Sequence, residues 1–88
     1  MGTTIRAQWP HSMDDINKSL DGVWGLVGAT GVNGNLHRLE RSLHEPIVFI
    51  VTEYNGADEG DIKEKLTFSP EQRDEAVARF ARAIGFDV

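Results

Sequence analysis

Five glycines recur at every third position in the run GVWGLVGATGVNG, residues 22–34. An α-helix turns about 100° per residue, so a period of three drifts about 60° per repeat and gathers these glycines on no single face. A strand would send them alternately to its two sides. A left-handed polyproline helix would align them, yet the run holds no proline. Each glycine also loses conformational entropy on ordering, which disfavours a long helix here. The run therefore reads as a short glycine-containing strand over 22–28 followed by a loop over 29–34.

Regular elements are expected on both sides of it. Residues 3–9 alternate, with Ile5, Ala7 and Trp9 on one side, until Pro10 stops the strand. Ser12 caps a helix over 13–21, with Asp14 and Asp15 in its first turn and Met13, Ile16, Leu20 and Val23 as its buried stripe. Asn35 can cap a second helix over 35–44, whose apolar positions are Leu36, Leu39 and Leu43 and which Glu45-Pro46 ends. Residues 47–54, IVFIVTEY, form a strand apolar on both faces and hence central. Asn55-Gly56 opens a loop over 55–61, and residues 62–68 make a lysine-bearing edge strand antiparallel to 47–54. Ser69-Pro70-Glu71-Gln72 is a capping box that starts a helix over 70–84, with Gly85 as its C-cap. The order β-α-β-α-β-β-α predicts one α+β domain over 1–88, its helices packed on a three- or four-stranded sheet.

Composition narrows the chemistry. With no Cys there is no disulfide framework, thiolate metal site or cysteine nucleophile. The longest apolar run, residues 47–51, is far short of the ~20 residues that span a bilayer. The first residues lack the apolar core of a secretory signal, so a cytoplasmic protein is expected, with no membrane partner. A net charge of −5 argues against nucleic acid, whose phosphates need a basic surface. It suits a protein partner with a basic surface, met by the acidic concentration at Glu53, Asp58, Glu59, Asp61 and Glu64, which Lys63 and Lys65 oppose.

One stretch has a local likeness. Gly28-Ala29-Thr30-Gly31-Val32-Asn33-Gly34 resembles the GATGxxG phosphate turn of the dinucleotide-binding dehydrogenase and epimerase families. The resemblance implies that Gly28, Gly31 and Gly34 let the backbone approach a pyrophosphate at the start of the helix near Asn35. It also implies that Glu53, about 20 residues further on, binds a ribose. It covers seven residues and one acid. A dinucleotide fold needs several parallel strands, whereas an antiparallel hairpin and one helix follow here. A small nucleotide-binding or enzyme subunit is thus the alternative, and no cofactor is assigned.

No other constellation stands out. His37, Glu40, Arg41 and His44 would share one helix face, but His37 and His44 would lie about 10.5 Å apart along it, too far to grip one ion. The serines fall at caps or on helix surfaces, with no nucleophile elbow, and no catalytic residues are assigned. Trp9, Trp24 and Tyr54 remain as large side chains that can anchor an interface. The expected function is a non-enzymatic protein-binding module that meets its partner through Trp9, Trp24, Glu53, Tyr54, Asp58, Glu59 and Asp61. Small acidic inhibitors or regulators from bacteria or phages fit this description: immunity-type proteins, antitoxins and blockers of host defence. A two-faced central strand with open edges also gives the chain reason to form a homodimer.

Overall fold

The computed structural model describes residues 9–88. The strand expected over residues 3–9 lies outside them but for Trp9, which stands in a bend. Helix α1 (Met13–Asp21) is followed by strands β1 (Leu26–Thr30), β2 (Leu36–Arg41), β3 (Phe49–Tyr54) and β4 (Ile62–Phe68), then by helix α2 (Arg73–Ala83). A turn of 3-10 helix at Pro70–Gln72 leads into α2. The strands pair antiparallel in the order β1-β2-β3-β4. The architecture is thus α+β, a four-stranded antiparallel sheet with two helices. None of the helices among the described residues is long and apolar enough to cross a membrane.

Register divides the helix-covered face into three rows across the strands. The middle row, Val27, Leu39 and Val51, joins Ile16 and Leu20 of α1 and Ala76, Val77, Phe80 and Ala81 of α2 in the core, and half-buried Leu66 continues the row on β4. Arg41, Phe49 and Phe68 form the row at one end. Ala29, His37, Glu53 and Glu64 form the row at the other, and that polar row builds a cleft.

The helix ends follow the sequence signals. Ser12 Oγ accepts the Asp15 N–H at 3.2 Å, and Asp15 in turn accepts the His11 N–H at 2.8 Å. Gln72 Oε1 accepts the Ser69 N–H at 3.1 Å, the reciprocal arm of a capping box. Gly85, at φ 105°, closes α2: its N–H reaches Arg82 O, and the Phe86 N–H reaches Ala81 O.

The helix expected over 35–44 is instead strand β2, an inner strand hydrogen-bonded on both sides. Leu36 and Leu39 satisfied a helical spacing but point to opposite faces of the sheet, and Leu43 is exposed beyond the strand. The alternation is hidden because two of the three inward positions, His37 and Arg41, are polar. The strand expected over 22–28 is shifted to Leu26–Thr30, and Val23, expected in the buried stripe of the first helix, is exposed.

Arg41 explains its own inward position. Its guanidinium donates to Leu20 O, in the last turn of α1, at 2.7 Å and to Gly22 O, which also accepts the Gly25 N–H, at 3.1 Å. Gly25, at φ 58°, lies against this side chain, where a Cβ would come within 3.1 Å of the guanidinium. Replacing Arg41 by Met keeps the apolar stem and removes both donors. Arg41→Met is expected to lower unfolding free energy by about 1.5–3 kcal/mol, the range for charged hydrogen bonds. Urea titration at neutral pH measures it, and an unchanged midpoint would mean that water serves these carbonyls equally well.

Candidate functional site

The polar row opens into a cleft of about 220 Å³ between the β1–β2 turn, the sheet and the last turns of α2. Val32, Val51, Leu66 and Ala83 give it apolar walls, and Asn33, His37, Glu53, Glu64 and Arg79 its polar groups. Glu53 Oε2 accepts from Asn33 Nδ2 at 2.9 Å and from Asn35 Nδ2 at 2.8 Å, with Lys63 Nζ 3.6 Å away. Those two amide donors, Asn35 first, hold the carboxyl below its ordinary range, and Lys63 adds to the effect. Arg79 pairs with Glu64 at 3.2 Å.

His37 is the buried member of the row, with Nε2 3.4 Å from Asn33 Oδ1. Burial pushes its pKa down, because the imidazolium is poorly solvated there; the Glu53 charge opposes that shift, while Lys63 and Arg79 reinforce it. At neutral pH the cleft therefore sets a neutral imidazole beside an ionised carboxylate.

The turn from Gly28 to Gly34 closes a β-hairpin. With β2 in place of the expected helix, no helix N-terminus faces it. At its tip three backbone donors are taken, Gly31 N–H by Asn35 O, Val32 N–H by Ala83 O and Gly34 N–H by Gly31 O, and just beyond it Asn35 N–H goes to Asn33 Oδ1. Gly31 is needed for packing, since a Cβ would stand 2.5 Å from the His37 ring and 2.8 Å from Ala83 O. The four residues read as a nucleotide site are thereby distributed among other tasks. Gly28 sits on the sheet edge, Gly31 packs under His37, Gly34 takes a positive φ in the turn, and Glu53 anchors the two asparagines.

The residues read as partner-binding also separate. Trp24 is 82% exposed and Trp9 55%, the latter edge-on to His11. Tyr54 is 4% exposed, with the Arg38 guanidinium 5.6 Å from its ring centroid, so it is not displayed as expected. Arg38 bridges Glu40 at 3.0 Å and Glu59 at 2.9 Å. The 55–61 loop is exposed throughout, and its backbone is pinned by Asn55 N–H to Asp61 O, Gly60 N–H to Asp58 O and Gly56 N–H to Asn35 Oδ1. It leaves the Tyr54 end of β3, whereas Trp24 precedes β1 at the sheet end marked by Arg41 and Phe49. The acidic loop and Trp24 thus stand at opposite ends of the strands.

His37, Asn33, Asn35 and Arg79 carry the cleft, and none had been assigned to a site. The two asparagines flanking Gly34 were the available signal, because Asn side chains turn back on local backbone in tight turns. His37, Glu40, Arg41 and His44 do not share a face: His37 and Arg41 point to the helices, Glu40 to the other side, and His44 lies beyond the strand. Among the described residues no three His, Asp or Glu side chains gather as a metal-binding group. Comparison of the chain with family models, curated proteins and solved structures gave no match.

Both perturbed groups of the cleft, His37 and Glu53, act in one direction on stability. The unfolded chain protonates His37 more readily than the folded one, so stability falls as pH drops below 6.5 toward the lowered native value. Glu53 adds a second loss as pH falls below 4.5, since its native carboxylate resists the proton that the unfolded one accepts. Urea midpoints measured between about pH 8 and 2.5 are expected to show both limbs, with His37→Gln removing the upper and Glu53→Gln the lower. A native midpoint that stays flat through the upper limb would contradict the buried, neutral imidazole.

Proposed function

We propose that this chain is a non-enzymatic protein-binding module, a small acidic inhibitor or regulator of a larger protein, of the immunity, antitoxin or phage anti-defence kind. The observation that carries the reading is the placement of its tryptophans. The core cluster between sheet and helices is made of Ile, Leu, Val, Phe and Ala, and Tyr54 is buried as well, while both indoles stand in solvent. Exposed indole is costly in water and is a frequent hot spot at interfaces, where its ring fills a pocket and its N–H finds an acceptor. The pinned acidic loop supports the same reading, because Asp58 and Asp61 are held out toward a partner with a basic surface. A homodimer and a cytoplasmic setting belong to this proposal.

The alternative, a small nucleotide-binding or enzyme subunit, draws support from the cleft beside the 28–34 turn. At about 220 Å³ that cleft is below the roughly 300–1,000 Å³ of ordinary small-molecule sites.

Partner capture from a lysate of the source cells, read by native mass spectrometry, tests the proposal. The Asp58→Lys, Asp61→Lys double variant and Trp9→Ala are each expected to weaken capture while leaving the urea midpoint nearly unchanged. Glu59 is spared because it holds Arg38. The tryptophan emission of a Trp24→Phe variant, which reports Trp9 alone, is expected to lie close to that of the unfolded chain. Capture that survives both variants, or a strongly blue-shifted emission from Trp9, would remove the support for this reading.

A further inference from the structure

Among the described residues the two edges of the sheet are unpaired, and they differ in chemistry. β4 carries Lys63, Glu64 and Lys65, charges of the kind that discourage strand addition. β1 carries none, and residues 22–37 contain no Asp, Glu, Lys or Arg at all. Four of the exposed large apolar side chains, Val23, Trp24, Leu26 and Val32, lie along this stretch. Among the described residues no strand pairs with the outer side of β1.

The ladder shows which backbone groups that edge presents. Arg41 N–H donates to Gly25 O and Gly31 N–H to Asn35 O, so positions 25, 27, 29 and 31 face β2. Leu26, Gly28 and Thr30 therefore turn their N–H and C=O groups outward.

We propose that β1 pairs antiparallel with β1 of a second copy of this chain, on a two-fold axis through Gly28. In this register Leu26 faces the partner's Thr30 and Gly28 faces the partner's Gly28, so every outward N–H of β1 meets an outward C=O. Val27 faces the partner's Ala29 on the helix side, which extends the core across the axis. The same register sets Trp24, 82% exposed, toward the partner's Val32, 78% exposed in the single chain. A strand read against itself needs such self-complementarity, because a two-fold interface uses one patch twice. Charge favours the same occupant. Two chains of net charge −5 repel over most of their surfaces, and this stretch is where identical copies meet without opposing like charges. The result is one continuous sheet of both copies, with the acidic loops directed away from the axis.

The inference rests on reading this stretch as a protein interface, and leaves a larger partner the acidic loop and Trp9. Light scattering on the full chain during gel filtration is expected to give twice the chain mass. Amide exchange at Leu26, Gly28 and Thr30 is expected to slow as protein concentration rises. Gly28→Pro removes an N–H that the sheet itself does not use, and Leu26→Lys puts a charge beside the axis. Both are expected to give one chain mass with intact far-UV circular dichroism. A single-chain mass for the native protein overturns the proposal, as does slow exchange at these amides in a monomer, which would assign the edge to another segment of the same chain. A dimer that both variants leave intact overturns it too. A monomer that still captures a partner sinks this inference alone, whereas a dimer that captures none sinks only the inhibitor reading.

Discussion

Strand β2 is the element on which the rest of this structure depends, because its three inward side chains each hold a different part of the molecule. Arg41 grips the carbonyl end of α1, Leu39 is fully buried in the centre of the core, and His37 forms the wall against which the β1–β2 turn closes. An apolar residue at position 41 would leave the end of α1 to water. A larger residue at position 31 would push the imidazole or the Ala83 carbonyl aside. Polar side chains at inward positions thus replace part of the apolar area that a chain of 88 residues has in short supply.

Much of the fold was legible in the sequence. The capped helices at 13–21 and 70–84 and the antiparallel pair of strands follow from caps, helical stripes and alternation, signals that each rest on local chemistry. β2 was not legible, for a physical reason. Its leucines at 36 and 39 fit a helical period, while its strand alternation runs through His37 and Arg41, whose burial is justified only by groups distant in sequence. The candidate site was hidden by the same misreading. Placing 35–44 on a helix separated His37 from Glu53, which the register sets side by side.

The glycine period dissolves into unrelated local demands. Gly25 needs a positive φ beside Arg41, and Gly31 must admit the His37 ring. The even spacing matches a phosphate turn over seven residues, yet the N–H groups of Gly31, Val32 and Gly34 are spent on the carbonyls of Asn35, Ala83 and Gly31. A motif of glycines specifies what the chain can approach closely, and here the approaching group is its own histidine.

The meander also shapes the order in which the chain can assemble. Among the described residues each strand pairs only with its sequence neighbours, so every step of forming this sheet closes a short loop at small entropic cost. The contact between the helices is of another kind: Arg73 reaches Asn17 and Asp21 across 56 and 52 residues. The sheet can zip together from local hairpins, and the helix pair then shuts over it as the late, long-range event. In that order of assembly the uncharged edge and the bare core face are open to other chains until the helices dock.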